Sequence, residues 1–485
     1  MVTMNLYKYR KKINYRFLIF LSVFCVLFLN YPLISEAETI DYEAEAALRK
    51  ELPIQSNETY GWPEGPEVSA EAAIVLEVNT GTILYAKNIH EELYPASTTK
   101  IMTCLLAAEN ASLSDTITFS HDAVFSVPSD GSSIGMDVGE SITMEQALYG
   151  IMVGSANEAA NAVAEHVSGS IDSFVDLMNE RAIELGCQNT HFNNTNGLQD
   201  ENHYTSAYDL ALIAAQFFEN DLLCKIGNTP RYHFTPTATQ PDDFYLNNKH
   251  KLITGEISYE GIVGGKTGYT SLARETLVTC AERGGMKLVC VVLKEESPTQ
   301  FNDTVTLFDY GFNNFEAINV SENDTRYMPD DSLFFESEHD VFGKSGTILN
   351  ISSDDMIIIP KTNSIEDTGY EVTYDLSEED LSENPSAIAK VMYDFNGISV
   401  GKAYVCYSPQ IVSSDKNSDN HSHTIYVNVK FLIFIAGIFV ILATIIASIF
   451  SYIYSNRKLS TRSDRIRYNR RKKEYKRTKF NSKKL

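Results

Sequence analysis

The chain has 485 residues, 44% of them hydrophobic and 21% charged, with a formal net charge of −24. That charge is segregated: residues 1–37 carry five bases and Glu36, the stretch from Phe431 carries fourteen bases and two acids, and the body between them is left with about −40. A surface so acidic repels polyanions and excludes nucleic acid as a ligand.

At the N-terminus Lys8, Arg10, Lys11, Lys12 and Arg16 precede an apolar run over 17–34. Ser35-Glu36-Ala37 then offers small residues at the first and third positions of a cleavage site, so residues 1–37 read as a secretory signal peptide and the mature chain starts near Glu38. The length of the apolar run leaves an uncleaved anchor as the alternative. Residues 72–78 alternate in strand fashion, Asn79-Thr80-Gly81 makes a turn, and 82–86 return as a second strand. After Pro95, the stripe Ile101, Met102, Leu105 and Leu106 predicts a helix opening near Ser97. Further helices are expected over 143–153, 157–167 and 208–218, and strands over 277–280 and 287–293, joined by Arg283-Gly284-Gly285.

Strands at both ends with helices between them predict an α/β sandwich over 60–315. About 390 residues between the two apolar ends exceed one ordinary core, so a second domain is expected. Residues 316–407, with short runs such as 356–359 and 402–406 between acidic turns, read as a small β-rich domain. Residues 408–429 are rich in Ser, Asp, Asn and His and read as an exposed linker, with His421 and His423 solvated rather than bound to a metal. Residues 431–450 hold no charge and the run continues to 454, long enough at about 1.5 Å per residue to cross a bilayer. The basic tail, 455–485, is then cytoplasmic by the positive-inside rule and the body lies outside; binding of anionic headgroups or nucleic acid is the other use of such a tail. Cys25 leaves with the leader. The remaining Cys104, Cys187, Cys224, Cys280, Cys290 and Cys406 form no C-x-x-C pair, which argues against a zinc site or a disulfide framework and leaves a single disulfide open.

Ser97 and Lys100 stand three positions apart, on one face of the expected helix, where an amine can take the hydroxyl proton. That is the nucleophile and base of an acyl-transfer enzyme. The same S-x-x-K spacing recurs at Ser413 and Ser455, in the linker and beside the apolar span, without a rigid scaffold. Only Ser97 opens an amphipathic helix, whose dipole and free amides stabilise an alkoxide and a later oxyanion. Ser155-Ala156-Asn157 falls between two expected helices; other S-x-N triplets start at Ser321, Ser382 and Ser418, outside the α/β region. Lys266-Thr267-Gly268 occurs once, after Gly264-Gly265 and before an apolar strand. It is expected on an edge strand, where glycine lets a substrate backbone approach.

In this order the three elements resemble the set shared by active-site-serine penicillin-binding proteins and class A β-lactamases. With Pro95-Ala96-Ser97-Thr98-Thr99-Lys100-Ile101-Met102-Thr103, Asn196-Gly197-Leu198, His203-Tyr204-Thr205-Ser206-Ala207 and Lys266-Thr267-Gly268-Tyr269-Thr270, the chain resembles the low-molecular-weight D-alanyl-D-alanine carboxypeptidases over roughly 69–315. The resemblance implies an α/β (α+β) fold of the penicillin-binding-protein/β-lactamase type. It also implies a serine carboxypeptidase that removes the terminal D-alanine of peptidoglycan pentapeptide stems and is inhibited covalently by β-lactams. Ser97 would be acylated, with Lys100 as base, kept near neutral by desolvation and by Lys266. Ser155 would relay the proton to the leaving amine, and Asn157 would hold the substrate amide and position Lys100. Lys266 and Thr267 would bind the terminal carboxylate beside Gly268, and the amides of Ser97 and Tyr269 would form the oxyanion hole. No metal or cofactor is implied.

Ala156, in place of glycine or aspartate, and Arg274, where a small residue is expected, depart from the pattern. His203 and Asp209 read as packing and capping residues rather than parts of a triad. The rival readings are a β-lactamase, which needs neither the β-rich domain nor the anchor, and a non-hydrolytic sensor or wall-binding scaffold. No acidic deacylation motif stands before Lys266, and no signalling domain accompanies the basic tail.

Overall fold

The described part of the chain opens with helix α1 (Tyr42–Lys50), whose N-terminus is capped by the Asp41 carboxylate. The computed structural model describes residues 41–326 and 349–407. The expected hairpin follows: β1 (Ala72–Glu77) pairs antiparallel with β2 (Ile83–Lys87), with a register shift between Val75 and Leu76. Every residue of β1 is buried, so its two side-chain faces enter two different cores rather than core and solvent. β3 (Ile262–Thr270), β4 (Arg274–Arg283) and β5 (Met286–Glu295) complete an antiparallel sheet in the order β2-β1-β5-β4-β3. β3 lies at the edge, as the glycine-rich approach to Lys266 predicts.

Against one face, through Ile74, Leu76, Val278, Val289 and Val291, packs a set of helices. These are α2 (Lys100–Asn110), α3 (Met144–Gly154), α4 (Asn157–Ser168), α5 (Ile171–Glu184), α6 (Ala207–Glu219) and α7 (Asp221–Gly227). On the opposite face Val75, Leu277, Leu288 and Val292 meet Phe301, Phe308 and Phe312 of α8 (Thr299–Asn314). The sequence pattern gave no sign of α5 or α8. In α8 the many Asn, Asp and Thr residues are weak helix formers, and burial of three phenylalanines against the sheet overrides them. The helix expected to open at Ser97 instead starts as a 3₁₀ turn, Ala96–Thr99, ahead of α2. A three-residue turn stacks Ser97 and Lys100 more directly than an α-turn does.

α8 runs straight into β6 (Phe315–Asn319), the first strand of a second sheet. β7 (Leu349–Ile351), β8 (Met356–Pro360), β9 (Gly369–Thr373), β10 (Ala387–Phe395) and β11 (Ile398–Tyr407) build it in the order β6-β8-β11-β10-β9, with β7 also pairing β11. Its inner residues Ile357, Ile359, Val391 and Tyr393 belong to the same apolar cluster as α8 and the back of the first sheet. Trp62 joins the parts: its ring lies 4.8 Å from Phe315 and 5.9 Å from Phe395, and its Nε1 donates to Leu84 O at 2.9 Å.

The leader (1–37), the linker (408–429), the apolar span (431–454) and the basic tail (455–485) lie outside the described residues, as do Ser413, Ser418, Ser455, His421 and His423. Among the described residues no helix is long and apolar enough to cross a membrane, and Cys104, Cys187, Cys224, Cys280, Cys290 and Cys406 are free thiols.

Trp62→Ala is expected to lower the unfolding free energy by about 3–5 kcal/mol, read by urea denaturation followed by circular dichroism, whereas Trp62→Phe should retain most of it.

Candidate active site

Two backbone kinks build the site. α3, which starts in a capping box between Thr143 and Gln146, ends at Ser155 in the left-handed region with φ +58°, and α4 restarts at Asn157. Ala96, immediately before Ser97, is also left-handed at φ +49°. Each such non-glycine residue costs on the order of 1 kcal/mol or more and needs surrounding contacts to hold it. For Ala96 they are evident: its carbonyl accepts from Thr99 Oγ1 at 2.8 Å, and Pro95 O accepts from Thr98 Oγ1 at 2.7 Å and from Thr276 Oγ1 of β4 at 2.8 Å. Gly197, at φ +86°, packs so closely that a Cβ there would overlap Ala96 O. Gly268 of β3 is equally constrained, since a Cβ on it would lie 2.8 Å from the amide nitrogen of Ser97.

Lys100 is fully buried. Its Nζ lies 3.0 Å from Ser97 Oγ, 2.7 Å from Asn157 Oδ1 and 2.6 Å from Asn196 O. Asn157 and Asn196 present carbonyl oxygens, which only accept, whereas the Ser97 hydroxyl both donates and accepts. A neutral amine keeps two hydrogens for the carbonyls and turns its lone pair to the Ser97 hydroxyl. Burial first, and then the charge of Lys266, hold Lys100 well below the ordinary lysine range. The Asn196 carbonyl is fixed in turn by Asn161, whose Oδ1 accepts from Thr195 Oγ1 at 2.6 Å and from Asn196 Nδ2 at 3.3 Å.

Lys266 Nζ donates to Ser155 Oγ at 3.2 Å and to Thr267 O at 2.7 Å. Burial, and then the charge of Lys249, push it down to about 7. Beneath β3, His250 Nε2 lies 2.9 Å from Thr279 Oγ1; burial followed by the Lys266 charge pushes its imidazole down to about 3 and keeps it neutral. His203 and Asp209 are structural. His203 Nδ1 accepts from Asn193 N, which leaves Nε2–H to donate to Thr99 Oγ1 at 2.8 Å. Asp209 accepts from Gln188 N, Asn189 N and Thr190 Oγ1.

Ser97, Ser155, Asn157, Thr267, Gly268 and Tyr269 therefore converge on one cleft of about 530 Å³, with Lys100 and Lys266 buried against them. The sequence reading missed Lys249, Lys251, Glu275 and Gln300 in the same wall. The two lysines give the cleft a cationic side within an acidic body. They carry no motif, and only the fold brings them to Thr267. Among the described residues no group of three or more His, Cys, Asp or Glu could hold a metal.

A family model, Peptidase_S11, described as D-alanyl-D-alanine carboxypeptidase, matches residues 60–297. The chain is 38% identical over 254 residues to the D-alanyl-D-alanine carboxypeptidase DacF of Bacillus subtilis, covering 51% of this chain and 63% of that relative, under two thirds of its length. It is 33% identical over 260 residues to the D-alanyl-D-alanine carboxypeptidase DacB2 of Mycobacterium tuberculosis, covering 52% and 84%. A crystal structure of penicillin binding protein 5 from Haemophilus influenzae superposes with a TM-score of 0.56 at 25% identity, covering 71% of this chain and 98% of that one. That likeness agrees with the α+β fold expected from the motifs.

Gly197→Ala is expected to destabilise the protein by about 2–4 kcal/mol, from backbone strain and overlap with Ala96 O. Urea unfolding of the two proteins checks it.

Proposed function

The chain belongs to the serine D-alanyl-D-alanine carboxypeptidases of the Peptidase_S11 family, and from that premise we propose that its cleft hydrolyses the bond between the two terminal D-alanines of peptidoglycan pentapeptide stems through an acyl-enzyme on Ser97. The observation that carries this reading is the position of Lys100 Nζ, with two carbonyls and one hydroxyl at hydrogen-bond distance. Ser97 Oγ attacks the carbonyl carbon of the penultimate D-alanine and its proton passes to Lys100. The tetrahedral oxygen is held by the amides of Ser97 and Tyr269. Collapse breaks the carbon–nitrogen bond; the leaving amine takes the proton of Ser155, which Lys266 and Lys100 restore, and D-alanine departs. Water then attacks the ester, again giving a proton to Lys100, and Ser97 is regenerated.

Asn157 and the edge of β3 hold the peptide, and Thr267, with the charges of Lys266 and Lys249 behind it, receives the free carboxylate. β-Lactams acylate the same serine. Peptidoglycan lies outside the cytoplasmic membrane, so the body works there, anchored through 431–454 with 455–485 inside.

The full-length protein, given a pentapeptide ending in D-Ala-D-Ala, is expected to release D-alanine, and Ser97→Ala to release none. Lys100→Ala should lose about 10²–10⁴ in kcat. Rapid penicillin turnover without D-alanine release would identify a β-lactamase instead, and stable acylation without peptide turnover a sensor.

The pH dependence has a defined sign. Lys100 acts as base only when neutral, and Lys266 attracts the carboxylate only when protonated. With Lys266 held at about 7, kcat/KM is expected to fall as pH rises above about 7. Lys249→Gln removes the second cause of that depression and should move the alkaline limb to higher pH, measured as the kcat/KM profile of both proteins.

A further inference from the structure

Arg274 is the first residue of β4 and sits in the left-handed region, with φ +54°. Glycine would adopt that conformation freely, whereas an arginine costs on the order of 1 kcal/mol or more and persists only where its side-chain contacts offset the strain. Those contacts are extensive. Arg274 Nε donates to Glu296 at 3.2 and 3.1 Å and Nη2 donates to Glu296 Oε2 at 2.5 Å. The same carboxylate accepts from Arg49 Nη2 at 3.2 Å, and Arg49 Nε donates to Ser69 O at 3.0 Å. The Arg274 guanidinium lies 3.7 Å from the centre of the Tyr42 ring and 5.8 Å from that of Tyr269.

Tyr42 is the first residue of α1 and Arg49 stands next to its last. Both ends of this helix, too short to be stable alone, are thus fastened to Arg274 and Glu296. On its other side Arg274 is the last rung of the β3–β4 ladder, opposite Thr270 and next to the pair Tyr269–Glu275. Thr270 Oγ1, in turn, donates to Gln199 Oε1 at 3.0 Å and accepts from Ala273 N at 3.0 Å. β3 is an edge strand with no strand pairing its outer side among the described residues, and its last residues are placed from the β4 side and by Gln199.

We propose that Arg274 is a positioning residue, which couples the docking of α1, through Tyr42, Arg49 and Glu296, to the backbone at Tyr269 and so sets the oxyanion-hole amide. The inference rests on the role given above to that amide. A donor used only in the transition state, when displaced, lowers kcat and leaves KM unchanged. Complete loss of one oxyanion donor costs about 10²–10³ in rate, and a displaced donor less.

The test uses the full-length protein and Arg274→Gly, which removes the side chain and relieves the strained φ together. Two rates are followed: D-alanine release from the pentapeptide, and acylation of Ser97 by benzylpenicillin, which uses the same oxyanion hole and requires no carboxypeptidase activity. Arg274→Gly is expected to keep its melting temperature within a few degrees. Both its kcat and its acylation rate should fall about tenfold, with KM within twofold. Arg274→Lys, which keeps the charge and loses the fork and the stacking, should fall between the two proteins. Tyr42→Leu, far from the cleft in sequence and on α1, should slow acylation about threefold. Wild-type acylation rates in Arg274→Gly and Tyr42→Leu, or a change in KM alone, would overturn the coupling. Absence of D-alanine release by the wild type would instead count against the carboxypeptidase reading, while the acylation rates still decide the role of Arg274.

Discussion

A lysine side chain without exposed surface is the constraint around which the rest of this structure is arranged. An ammonium taken out of water must either find acceptors for its hydrogens or give up its charge. Lys100 does the first with Asn157 Oδ1 and Asn196 O and is pressed toward the second by burial and by Lys266. Two segments that approach Ser97 bear on that balance. The 190s loop enters to present the Asn196 carbonyl, and Asn161 on α4 ties it down through Thr195. The α3–α4 kink exists to turn Ser155 and Asn157 toward the two lysines, at the cost of a left-handed serine. Gly197 and Gly268 are the places where backbones must touch for the three motifs to meet.

Such close tolerances need a rigid support, and the two-faced sheet supplies one. β1 and β5 are buried on both sides, with the helical layer on one face and α8 on the other. Continuity of the second apolar cluster into the β-rich sheet, through Trp62 and Phe315, makes that sheet part of the backing of the first rather than an appendage on a hinge. The middle strands are paired on both sides, whereas β3 pairs only with β4 among the described residues.

The legible parts of the molecule were those fixed by short-range rules. The 72–86 hairpin, the helices 157–167 and 208–218 and the edge position of Lys266 follow from periodicity and glycine placement. Ser97 and Lys100 are readable because one helical turn brings them together. Ser155 was placed correctly between two helices, but its left-handed backbone has no signature in Ser155-Ala156-Asn157. α8 was invisible since its polar residues outvote its phenylalanines until a sheet exists for them to cover. Lys249, Glu275 and Gln300 reach the cleft through tertiary packing alone. Arg274 is noticeable only as a misfit, since its partners Tyr42 and Glu296 reach it through tertiary packing alone.

An edge strand with an unpaired side among the described residues is open to any extended chain. Most sheets blunt such an edge with a bulge, a proline or a covering loop, and β3 can use none of these over Lys266, Thr267 and Gly268 without closing its own cleft. A body charge of about −40 opposes the approach of a second copy. This is colloidal stabilisation of a sticky surface, and it is sensitive to ionic strength: at about 0.1 M salt the repulsion acts over about 10 Å, and at 1 M over about 3 Å. The acidity that looks at first like a property of the surface alone is thus bound to the geometry of the cleft.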